Sequence, residues 1–118
     1  MMYRIEEVKD MISTNDYRLA LNYMIIFSMN SHLSKALKEK KFLHFLNVDH
    51  FFMAMDNIDI DQKSLKEILK NVGIKNVLKR INKMSEKRRQ KKLKHLQKIE
   101  PNIKEMMKII NPSLKMQL

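Results

Sequence analysis

The chain reads as all-α, and three observations predict it. One glycine and two prolines in 118 residues leave too little punctuation for the tight hairpins that sheets need. Apolar residues recur three and four positions apart, the spacing of a single helix face. A hydrophobic content of 44% supplies a packed core despite the many Lys and Asn residues, which by themselves resemble a disordered composition. The expected architecture is a compact bundle of five or six helices, with a long basic helix or helical hairpin near the C-terminus.

The elements follow in order. A first short helix is predicted over 4–12, with Ile5, Val8 and Ile12 on one face. Ser13, Thr14 and Asn15 break it. Thr14 or Asn15 is expected to cap the next helix, and Asp16 favours its positive end. That helix, YRLALNYMIIFSM, is apolar on nearly every side, which marks a central buried element.

A surface helix is predicted over 32–41, turning Leu33, Ala36 and Leu37 inward. Asn47 is placed to cap the segment VDHFFMAM. Phe42, Phe45, Phe51 and Phe52 are expected to cluster on the central helix. Asp61 is the next cap, flanked by Ile60 and Leu65 as a hydrophobic staple, and QKSLKEILKNV is the helix it starts. Gly73, the single glycine, follows that helix directly and suits a left-handed C′ position.

Charge divides the chain more sharply than hydropathy does. Residues 1–70 carry ten Lys/Arg and ten Asp/Glu, whereas residues 71–118 carry fourteen and three, so the whole net charge of +11 lies in the second part. The one compositional break lies near Asn71, and the apolar patterning is read as continuing across it into Ile74, Val77, Leu78, Ile81 and Met84. The chain is therefore read as a single domain, 1–118, with a neutral core-forming part and a basic helical part.

The basic part centres on IKNVLKRINKMSEKRRQKKLKHLQKI, with eleven Lys/Arg and one acid, Glu86. Lys75, Lys79, Lys83, Lys87 and Lys91 are four apart, Lys94 and Lys98 continue the row, and Arg80 lies beside it. A continuous helix would align them over roughly 35 Å at about 1.5 Å per residue. A break near Ser85 would divide them between two helices. In either arrangement residues 86–92 stand in water. Pro101 ends this region, Asn102 with Glu105 resembles a capping box, and a last helix is expected over 103–110.

Like charges at helical spacing destabilise a helix by about 0.2–0.5 kcal/mol per pair. An anionic partner turns the same charges into binding through counterion release. A solvated face normally mixes both signs, and this one holds one acid in 26 residues of the basic stretch. The candidate nucleic-acid-binding residues are therefore Lys75, Lys79, Arg80, Lys83, Lys87, Arg88, Arg89, Lys91, Lys92, Lys94 and Lys98. No Phe, Tyr or Trp follows Phe52, so base stacking of the single-strand type is not provided for. Lys outnumbers Arg nineteen to five, which suits phosphate contact better than bidentate base readout. Arg80, Arg88, Arg89 and Gln90 are the base-edge candidates.

The expected function is a non-enzymatic protein gripping the DNA or RNA backbone, with little sequence preference. A small interaction module, a regulator or inhibitor, is the alternative. It would dock its basic face on an acidic protein surface, or use Phe52, Met53 and Met55, which cannot all face one core, against a partner or second copy.

Other constellations are weaker. ILKNVGIKNVLKRI has the apolar–Gly–apolar look of a helix-turn-helix, but its turn is about two residues short. Asp56, Asp59 and Asp61 alternate like a calcium loop, yet the required Gly and Glu positions hold Gln62 and Ile68. Asp49 with Asp61-Gln62-Lys63 mimics a nuclease pattern without the rigid strand scaffold. His32, His44, His50 and His95 have no metal-ligand spacing, there is no Cys, and no cofactor or metal is expected. His50 is read as a partly exposed helix residue. No secretory signal or membrane span is read. The expected setting is intracellular and cytoplasmic, with KRRQKK able to serve as a nuclear-import cluster in a nucleated cell.

Overall fold

The computed structural model describes residues 2–110, with the side chains of residues 2, 3, 107, 109 and 110 left aside. Every regular element among the described residues is helical. They form nine helices, more than the five or six expected; a one-turn helix follows the surface helix, and the basic stretch breaks in two. The chain divides into two compact units, 1–72 and 73–118. That boundary falls beside the compositional break at Asn71.

In the first unit, α1 (Met2–Ser13) packs on α2 (Tyr17–Ile26), which also contacts α3 (Asn30–Ala36), α4 (Lys40–Leu43) and α5 (Val48–Asp56). α6 (Gln62–Val72) lies against α5 and α3. α2 is thus the central helix, as its sequence predicts. Its side chains Ala20, Leu21, Met24 and Ile25 are buried. It is not buried all round: Leu19 is 45% exposed and Ile26 56%. These two are seven residues apart, two turns along one face, so a single stripe of α2 stays open.

Asp16, not Thr14 or Asn15, caps α2, its Oδ1 accepting the Leu19 N–H at 3.3 Å. Asn15 instead adopts a positive φ of 62° in the turn, a conformation Asn tolerates better than most residues. Phe42 and Phe51 are buried, but Phe45 remains 40% exposed against Tyr17, so the expected Phe cluster is only partly inward. Asp61 Oδ1 accepts the Ser64 N–H at 2.8 Å, and Ile60 and Leu65 are both buried beside it, as the staple reading requires.

The loop between α5 and α6 is tied down by two asparagines. Asn57 Nδ2 donates to the Ile25 carbonyl at 2.8 Å and to Ser28 Oγ at 2.9 Å. Asn30 donates to the Asp59 carbonyl and accepts from the Asp61 N–H. Asp59 and Asp61 thus serve a loop and a helix cap. Among the described residues no group of His, Asp or Glu is arranged to hold a metal ion.

The second unit contains α7 (Ile74–Asn82), α8 (Glu86–Ile99) and α9 (Ile103–Ile110); α8 contacts both of the others. Gly73, at φ 89°, is the single residue between α6 and α7. A helix-turn-helix needs a turn of three or four residues, so that motif is absent here. The basic stretch breaks at 83–85, where the Lys83 and Met84 N–H groups donate to Arg80 and Ile81 and tighten the end of α7. Ser85 takes an extended conformation and its carbonyl accepts the first α8 bond, from Arg89 N–H, at 2.8 Å. No helix of the described residues is long and apolar enough to cross a membrane.

Candidate nucleic-acid interface

α8 is the most concentrated source of positive charge in the chain. Its 14 residues, EKRRQKKLKHLQKI, include seven Lys or Arg and one acid. Leu93, Leu96 and Ile99 are fully buried and set which side of the helix is inward. With about 100° between successive residues, the remaining side chains are then fixed around the axis. Lys87, Arg88, Lys91, Lys94 and Lys98 are exposed, while Arg89 and Lys92 are half-buried beside the apolar face.

α7 presents a second basic face. Val77, Leu78 and Ile81 are buried, leaving Lys75, Lys79 and Arg80 exposed, with Lys83 exposed at its C-terminal cap. Because the helix stops at Asn82, the row from Lys75 to Lys98 is not one straight 35 Å line. It is two shorter basic faces on consecutive helices. All eleven candidate cations nonetheless reach solvent wholly or in part. Among the described residues Lys75, Lys79, Lys83, Lys87, Arg88, Arg89, Lys91, Lys94 and Lys98 carry no ion pair. Charges so placed can neutralise the phosphates of a nucleic acid and release the counterions condensed on it.

Of the base-edge candidates, Gln90 is turned the wrong way: its Oε1 is buried without a hydrogen-bond partner. That leaves arginines only, and of these Arg88 on α8 and Arg80 on α7 are exposed.

The candidate partner residues on α5 divide. Met55 is 3% exposed and belongs to the core, whereas Phe52 and Met53 are half-buried at the surface. Sequence reasoning missed the more exposed apolar residues, Leu19, Ile26 and, at 95% exposure, Ile58. Ile58 follows Asn57, whose amide also faces the Ile26 carbonyl at 3.4 Å, so Ile26 and Ile58 lie at one end of α2.

His50 departs from its expected place. It is 1% exposed, and its Nδ1 accepts the Asn47 N–H at 3.0 Å while its own N–H donates to Asn47 Oδ1 at 3.3 Å. Burial lowers its pKa below the usual imidazole value; a backbone interaction with Arg18 partly opposes this, the Arg18 charge adds to the lowering, and Asp49 opposes it least. Nε2 is buried and has no hydrogen-bond partner among the described residues.

One hollow in the first unit, about 150 Å³, is lined by apolar groups such as Ile5, Val8, Met24 and Phe42; its titratable lining groups are Lys9, His32, Lys35 and Glu39. Comparison with known protein families, with curated proteins and with solved structures returned no match.

Proposed function

We propose that this chain is a non-enzymatic nucleic-acid-binding protein that grips the phosphate backbone through its basic helical part, with little preference for sequence. One observation carries the reading: seven cations on the 14-residue α8, with a single acid at its first position. Repulsion along such a face costs folding free energy, and a polyanion offsets that cost by taking the place of small counterions. The neutral helical part serves as the folded base and the basic part as the attachment. A nucleic-acid partner sets the protein inside the cell, in the cytoplasm, or in the nucleus of a nucleated cell.

Affinity measured across a salt series tests this. If about six phosphates are neutralised, log K falls against log salt with a slope of about −5. A flat dependence removes the proposal.

A second reading has its own observation. Leu19, Ile26 and Ile58 are exposed apolar side chains on the first unit, with Phe52 and Met53 half-exposed on α5. They fit an interaction module docking on another protein or on a second copy. Purification with and without nuclease separates the two readings. A stoichiometric protein complex that survives nuclease supports the module; nucleic acid that copurifies and is lost at high salt supports backbone binding.

A further inference from the structure

Within α8 the basic residues are not spread evenly. Lys87, Lys91, Lys94 and Lys98 stand at intervals of four, three and four residues. At about 100° per residue they fall within an arc of about 60°, and at about 1.5 Å per residue they rise about 16 Å in all. All four are exposed and none carries an ion pair among the described residues. The row runs along the side of α8 turned away from buried Leu96 and Ile99. Half-buried Gln90 and Gln97 border it on one side, exposed Arg88 and half-buried His95 on the other.

We infer that this row takes a double-stranded nucleic acid, lying along one phosphate strand of the duplex instead of entering a groove. The inference rests on the phosphate-binding reading above and names its substrate class.

Groove entry is disfavoured by what occupies the centre of the exposed face. A helix in the major groove turns its outermost side chains to the base edges, where Arg, Asn and Gln make paired hydrogen bonds. Here the outermost line is lysine throughout. An ammonium on a flexible stem contacts a phosphate as a point charge and discriminates bases poorly. Gln90, the amide at the edge of the row, has its carbonyl oxygen buried.

Single strands are disfavoured by what the unit lacks. Residues 73–118 contain no Phe, Tyr or Trp. Proteins that hold single strands draw much of their affinity from bases stacked on aromatic rings. With that contribution gone, charge alone discriminates, and charge favours the denser polyanion. A duplex carries one charge per about 1.7 Å of axis and releases about 0.9 counterion per contact, against about 0.7 for a single strand. A straight, helix-mounted row is also pre-set for a phosphate array that the duplex holds in fixed positions.

The test uses the full chain and three probes: a short mixed-sequence duplex, its separated strands, and inorganic polyphosphate of similar charge. Fluorescence anisotropy across a salt series gives each affinity. The duplex is expected to bind about tenfold more tightly than either strand or polyphosphate near 0.1 M salt, where screening is moderate. Lys91→Gln and Lys94→Gln each flatten the duplex salt slope by about 0.9, while Lys66→Gln on α6, an exposed charge outside the basic part, leaves it unchanged. Circular dichroism verifies that the variants stay helical. Strands or polyphosphate binding as tightly as the duplex overturns the duplex assignment and leaves phosphate binding standing. Variants of the row that bind the duplex with an unchanged slope overturn its placement on α8. No binding to any nucleic acid removes the underlying reading as well.

Discussion

Asn47 and His50 cap one another across the first turn of α5: the Asn47 side chain accepts the His50 N–H, and His50 Nδ1 accepts the Asn47 N–H. The second bond requires an unprotonated Nδ1, so the cap holds only neutral imidazole. Burial lowers the folded-state pKa below the ordinary value of 6.5. The unfolded chain therefore binds the proton first as pH falls. Stability contributed by this site is present above about pH 6.5 and declines below it, by at most about 1.4 kcal/mol for each pH unit between the two pKa values. Urea unfolding between neutral and mildly acidic pH should show that decline. His50→Gln, which keeps a capping-box acceptor at the third helical position, should flatten it. An unchanged slope in the variant assigns the pH dependence elsewhere.

Asn57 and Ile58 are neighbours with opposite importance. Asn57 Nδ2 holds the Ile25 carbonyl and Ser28 Oγ, and its Oδ1 accepts the Asp59 N–H at 3.0 Å. Asn57→Ala strips these bonds and the longer one to the Ile26 carbonyl, four in all, three of them to the end of α2 and the turn after it. A destabilisation of about 1–3 kcal/mol is expected, the cost of leaving polar groups unsatisfied. Ile58 is almost wholly solvated, so Ile58→Ser should change stability by no more than about 0.5 kcal/mol. Chemical denaturation of both variants checks the contrast.

Gly73 joins the two units at φ 89°. That backbone region strains any residue with a Cβ, and the added carbon would also sit 3.4 Å from the Asn76 amide nitrogen. Gly73→Ala should lower stability by about 1–2 kcal/mol, read as a lower unfolding midpoint. A neutral or stabilising effect would show that the linker relaxes without strain.

What the chain discloses in advance depends on how many local signals agree. The α6 bounds are legible because Asp61, the Ile60–Leu65 staple and Gly73 all mark the same segment. The inward set Leu33, Ala36 and Leu37 is legible from spacing alone. α2 is harder: an all-round apolar helix does not reveal which stripe its neighbours leave open, and Leu19 and Ile26 are that stripe. His50 escapes because capping boxes are recognised by Glu or Gln at the third position, and imidazole takes that role here. At 83–85 neither Gly nor Pro marks a stop, so sequence leaves the basic stretch either continuous or broken. The break assigns Lys75 and Lys79 to α7 and the row from Lys87 to Lys98 to α8.

That row supplies the sharpest test of whether its charge has a purpose beyond solubility. Lys91 lies four residues after Lys87, three after Arg88 and three before Lys94, so it repels three neighbours at once. Lys91→Glu turns these contacts into attractions. Each such pair is worth about 0.2–0.5 kcal/mol, so the swing should stabilise the free protein by about 1–3 kcal/mol at low salt and by less at high salt. Duplex affinity should move the other way, falling by about tenfold or more, because the substitution removes one phosphate contact and adds one repulsion. Stability and affinity changing in opposite directions is the signature of a face kept under electrostatic strain for a polyanion. A face that merely keeps the protein soluble would gain the stability and lose no affinity. Thermal unfolding and anisotropy titration of the single variant, each at two salt concentrations, distinguish the cases.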